Sequence, residues 1–184
     1  FLALVVKSTV AVSQTYPVQT NIATSGPYFN YLSYYADENM HLQAIVTLTD
    51  FNSGPINARL RIQIQGPGYT ISTKPNVVIG QAFTLEPGVP TFINGMDLAP
   101  YFFEANLIKS PSGINLNSLP EGLTTICVDV IRDGVSQEVL STNNCSSFFL
   151  QRFQPPQGVF PQCGSSVDPN QGFYTFQWTA PIGY

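Results

Sequence analysis

The segment Ala58-Arg-Leu-Arg-Ile-Gln-Ile-Gln65 alternates without a break. Leu60, Ile62 and Ile64 fall on one side, and Arg59, Arg61, Gln63 and Gln65 on the other. A period of two belongs to a strand with one face in a core and one in water, and no helix can bury that pattern. Leu42–Thr49, Tyr69–Thr73, Phe83–Leu85, Thr91–Ile93, Leu123–Ile131 and Cys145–Phe153 read as further strands. Turn chemistry separates them at Asn52-Ser-Gly-Pro55, Gly66-Pro-Gly68 and Pro87-Gly88. Asp133-Gly134 predicts a type I′ hairpin, with Val135–Leu140 as the returning strand. Leu98, Tyr101 and Phe102 share one helical face within 94–103, which predicts one helical turn with Asp97 as its cap and Pro100 in its first turn. The spacing of turns suits an antiparallel β-sandwich of the immunoglobulin or fibronectin kind.

Composition supports an all-β chain. Charged residues are 10% of the 184, against about 25% in an average soluble domain. Helix-favouring Glu, Lys and Arg are therefore scarce, while Gly 14, Pro 15, Tyr 9 and Phe 13 favour strands and turns. Lys and Arg total seven and the net charge is −4. No basic stripe exists to neutralise a phosphate backbone, so nucleic acid is not an expected partner. No run reaches the ~18 apolar residues of a membrane span.

The chain opens on the apolar run Phe1–Val6, and Ala11-Val-Ser13 fits the small-x-small rule for signal cleavage before Gln14. Residues 1–13 are read as the remnant of a secretory signal; a first β-strand is the other reading, and Lys7 within the run speaks for it. Residues 14–154 form the main domain. Pro155-Pro-Gln-Gly158 is a linker, and 155–184 hold the truncated start of a second β-sandwich. There Tyr174, Phe176 and Trp178 alternate onto one face, which is expected to join that domain's core.

Signatures of catalysis are missing: no G-x-S-x-G, H-E-x-x-H, P-loop or dinucleotide fingerprint is present. The single histidine, His41, stands at the entry to an apolar strand and reads as a packed or hydrogen-bonded residue. With one histidine and no C-x-x-C, the three cysteines cannot assemble a structural zinc site. An export context predicts a Cys127–Cys145 disulfide across the hairpin and leaves Cys163 odd. If the Asp133-Gly134 turn is tight, Cys127 faces Leu140, so Ser141–Asn144 must fold the chain back to close the bridge. Asp168 and Asn170 echo the start of a calcium loop but lack its closing Glu, and ordinary turn composition explains them as well. No cofactor is expected. Asn144-Cys-Ser146 matches a glycosylation sequon. Tyr28, Phe29, Tyr31, Tyr34 and Tyr35 form the best candidate contact surface, since tyrosines stack on sugars and anchor interfaces; a strand covered on both faces is the competing reading.

A set of motifs adds a resemblance. Tyr16-Pro-Val-Gln-Thr-Asn21, Gly26-Pro-Tyr28, Tyr31-Leu-Ser33, Leu85-Glu-Pro-Gly-Val-Pro90, Gly95-Met-Asp-Leu-Ala-Pro-Tyr-Phe102, Leu119-Pro-Glu-Gly122 leading to Cys127, and Leu140-Ser-Thr-Asn-Asn-Cys145 follow in order. Over residues 16–153 the chain resembles the TANFOR domain of large exported proteins in Bacteroidetes-type bacteria. Pro161–Pro169 with Phe176-Gln-Trp178 resemble the start of a fibronectin-type-III-like follower. The resemblance implies an N-terminal, non-catalytic module of a modular cell-surface, outer-membrane-associated or secreted protein, in organisms with gliding motility and type IX secretion. Adhesion or assembly of an envelope complex is its expected role, with other envelope proteins or surface glycans as partners. It carries over no catalytic residue. A carbohydrate-binding module and an accessory domain of an exported enzyme are the alternatives.

Overall fold

The computed structural model describes residues 16–37, 39, 41–75, 77–152, 157–161 and single positions or short stretches between 164 and 179. The expected signal remnant, the Pro155-Pro156 linker, Cys163 and Asp168 lie outside the described residues.

Two antiparallel sheets face each other. The smaller has three strands in the order β1 (Val18–Thr24), β2 (Leu42–Leu48), β6 (Pro90–Ile93). The larger runs β7 (Leu107–Ser110), β4 (Tyr69–Thr73), β3 (Ile56–Gly66), β8 (Gly122–Arg132), β9 (Asn144–Leu150), with β5 (Phe83–Leu85) also paired to β3. The expected antiparallel β-sandwich is the observed architecture. The alternation at 58–65 is its reason: Ala58, Leu60, Ile62 and Ile64 are buried against Leu42, Ala44, Val46 and Leu48 of the smaller sheet, in one core cluster.

Two of the expected turns carry the chain between sheets and do not close hairpins. The 51–54 turn takes it from β2 to β3, and the Pro87-Gly88 turn from β5 to β6. The β3–β4 turn is a true two-residue hairpin, with Gly66 opposite Tyr69. Gly68 at φ 74° follows Pro67, the pair a type II turn requires. The Tyr69 ring lies across Gly66, where a Cβ would approach it to 2.3 Å.

The edge of β3 shows how the larger sheet is completed. Residues 56–58 pair with β5 and residues 63–66 with β4, leaving a gap between. Two side chains fill it: the Leu60 N–H donates to Tyr101 Oη at 3.1 Å, and the Ile62 N–H to Thr73 Oγ1 at 3.3 Å. Both buried amides thereby find the acceptor that a strand would have supplied. Tyr101 comes from the expected helical segment, resolved as α1 (Gly95–Leu98) and a 3-10 turn at Ala99–Phe102. Its cap is Asn94, not Asp97. The Asn94 side chain accepts from Met96 and Asp97 amides, while the Asp97 carboxylate accepts from the Asn94 N–H, forming a capping box.

The type I′ hairpin at Asp133-Gly134 is not formed. The Asp133 N–H donates to Asn57 O at 2.9 Å, and its carboxylate binds Arg59 at 2.6 Å. Both bonds hold Asp133 against β3 and push the turn onward, so Arg132 meets Glu138 across residues 133–137. The returning strand shrinks to a bridge between Val139 and Ile131.

Candidate contact surfaces

The disulfide joins Cys127 to Cys145, directly opposite each other on β8 and β9, with Cα atoms 4.0 Å apart. The longer turn makes this register available. Leu140 N–H still bonds Val130 O, yet Asn144 lies opposite Val128, so residues 141–143 bulge against Asp129. The bridge stands on the solvent face of the larger sheet. Beside it lie the Arg61–Asp129 ion pair at 2.6 Å and the Thr125–Ser147 hydroxyl pair at 2.8 Å. Leu123 and Phe149, also directly opposed, are exposed on that face.

The aromatic run does not make the surface expected of it. It forms a 3-10 turn at Leu32–Ala36, and Phe29, Tyr34 and Tyr35 are buried, so these three belong to the core. Tyr28 and Tyr31 are half-buried against it. Tyr28 stacks on Phe148 at 5.1 Å, and Tyr34 meets Phe29 edge-on at 4.9 Å. Tyr35 donates its hydroxyl to Phe29 O at 3.1 Å. Burial, then the nearby Asp37 and Tyr31, push the Tyr34 phenol up to about 12; burial raises Tyr35 further.

His41 is part of the same packing. Its ring stacks on Tyr34 at 3.9 Å and its Nε2 lies 3.9 Å from Asp37 Oδ2. The sequon asparagine is likewise built into the fold, since Asn144 Oδ1 accepts the Ile22 N–H at 3.2 Å. Asn170 is an exposed turn residue, and its calcium-loop companion Asp168 lies outside the described residues. No group of three or more His, Cys, Asp or Glu poised for a metal occurs among the described residues.

The two long seams of the sandwich differ. Along one, β1 is tied to the β8–β9 side: Val18 N–H donates to Leu140 O at 3.0 Å, and the Thr24 and Ser146 hydroxyls pair at 2.9 Å. With the Asn144 bond, these close that side. On the other, β5 and β6 each pair on one edge only among the described residues and do not pair with each other. Between them opens a cleft of about 390 Å³. Leu60 and Tyr101 line it from β3 and the 3-10 turn, Phe83 from β5, Phe92 from β6, and Met96 and Asp97 from α1. Phe92 is 73% exposed and Met96 60% exposed.

No family model matches this chain, and no curated protein matches it. Among solved structures, it is similar to native alpha-2-macroglobulin from Escherichia coli, spanning domain MG7 to the C-terminus, at 14% identity and a TM-score of 0.41. That likeness covers 78% of this chain and 18% of the other.

Sequence reasoning missed the cleft. Phe83, Phe92 and Met96 sit on separate elements, and only the crossing of the chain between sheets at Pro87-Gly88 brings them to one mouth. The exposed aromatic in a four-residue edge strand was the one available signal. A second set of exposed apolar groups occupies the ribbon of β10 (Gly158–Phe160) and β11 (Gln177–Trp178). Trp178 is 66% exposed, and Phe160, Phe173 and Phe176 are exposed with it. Among the described residues, no helix is long and apolar enough to cross a membrane.

Proposed function

We propose that this chain is a non-catalytic contact module of a modular, extracytoplasmic bacterial protein. The carrying observation is the unequal pair of seams: one closed by the chain's own bonds, the other open around an apolar cleft with exposed Phe92 and Met96. Apolar groups grouped at a concave mouth are what a binding surface presents. The sole histidine, His41, is engaged in packing against Tyr34 and next to Asp37, which leaves it a structural part. The Cys127–Cys145 disulfide supports an oxidising compartment, since such bridges persist outside the reducing cytosol. Residues 14–154 are the TANFOR-like domain of this reading. In this reading residues 155–184 belong to a fibronectin-type-III-like domain, and the exposed aromatics of the β10–β11 ribbon suit an inner face of it. Cell-surface residence, adhesion or assembly of an envelope complex, and a type IX secretion and gliding context rest on the motif resemblance of residues 16–153.

The test is a screen of the 184-residue chain for esterase, protease and glycosidase activity. Background rates are expected throughout. Turnover that vanishes in His41→Ala overturns the reading.

A further inference from the structure

We infer that the cleft between β5 and β6 receives an extended segment of a partner protein, which adds as a strand along the outer edge of β6 and sets a lysine or arginine against Asp97. The inference rests on the contact-module reading and names the kind of contact.

Three features select this occupant. The first is the backbone. β6 pairs with β2 through Ala44–Thr47 on one side, and its other edge faces the cleft with no strand beside it among the described residues. Alternate residues of such a strand turn their backbone groups away from the partner strand, and another extended backbone satisfies them, which is the chemistry of strand addition. The second is an edge without charge. The strand Pro90-Thr-Phe-Ile93 bears no charge, and its outward Phe92 is 73% exposed. The β7 edge contrasts with it: that strand carries Lys109, and Pro111 follows directly. Charges and prolines are how sheet edges repel strangers; β6 has its proline only at its first residue.

The third is charge. Among the described residues, Asp97 is the only charged one lining the cleft. One of its oxygens accepts the Asn94 N–H, and the other makes no bond among the described residues. A carboxylate at the rim of an otherwise neutral, apolar cleft complements a cation on the incoming strand. Phe83, Phe92, Met96 and Pro100 offer apolar contact to the alternate side chains of that strand.

The experiment pans a random heptapeptide phage library against the 184-residue chain. Selected peptides are then made synthetically and titrated by calorimetry. The expected winners alternate apolar residues and carry Lys or Arg. Phe92→Lys should weaken them by about tenfold or more, the loss of an aromatic anchor. Asp97→Asn keeps the capping oxygen and should weaken only peptides that carry the basic residue, by about three- to tenfold. N-methylation of alternate peptide amides should abolish binding, because it removes the strand bonds. Failure to select any peptide, winners that bind Phe92→Lys unchanged, or tolerance of N-methylation each overturns the inference. So does a glycan array whose binding is lost in Phe92→Lys, since the cleft is then a sugar site. All of these leave the non-catalytic reading standing, because the activity screen decides that separately.

Discussion

Tyr101 serves both the fold and the cleft. Its hydroxyl accepts the buried Leu60 N–H in the gap between β5 and β4, and its ring lines the open cleft. Tyr101→Phe keeps the ring and strands the amide. Leaving a buried donor unpaired costs about 1–3 kcal/mol, so urea unfolding should show a loss of that size; a change below about 0.5 kcal/mol, an ordinary surface effect, contradicts the role assigned to the hydroxyl. The buried tyrosines also set the alkaline limit. Burial raises Tyr34, Tyr35, Tyr69 and Tyr101 above the ordinary 10.0, Tyr34 to about 12. The native state therefore holds more protons than the unfolded chain once pH passes 10.0, and stability falls as pH rises. The stabilisation is complete below 10.0 and is lost as pH climbs through the native values. Phenolate absorbance from these four tyrosines should rise only above 10.0, together with unfolding. A single phase near 10.0 that takes in all nine tyrosines with the fold intact contradicts the burial.

At the scale of elements, strands with a strict period were legible. β3 and β8 alternate because one face of each is core and the other water. β1 was hidden: Val18-Gln-Thr-Asn-Ile-Ala-Thr24 buries Thr20 between its two large apolar residues, so no apolar alternation marks it. The aromatic run misled because strand-favouring residues were used in a 3-10 turn, where Tyr35 and Phe29 bond each other locally. The Asp133-Gly134 turn misled because its aspartate is held by Asn57 and Arg59, partners 76 and 74 residues away that no local rule sees. The disulfide was legible as a pair, and so was the need for residues 141–144 to depart from a plain ladder; the shift of the turn to 133–137 was not. Its contribution belongs to the β8–β9 element. Cys127→Ser with Cys145→Ser should lower stability by about 3 kcal/mol, the chain-entropy value for a loop of this size, with the circular-dichroism spectrum retained because the bridge stands outside the core. A urea midpoint unmoved by reductant contradicts that.

Across the whole molecule, the same chain crossings that build the core leave the seams unequal. The β2–β3 and β5–β6 turns throw consecutive strands into opposite sheets, so among the described residues β5 and β6 each end with one edge unpaired while β1 seals the other side. Hydrogen exchange read by mass spectrometry on the 184-residue chain tests this most directly. In the free chain, the β1 and β9 segments should exchange slowly and residues 80–96 quickly. Adding the selected heptapeptide should slow exchange in 80–96 and leave β1 and β9 unchanged. Strong protection of 80–96 without peptide, or protection by peptide that falls elsewhere, contradicts a contact made at the open seam.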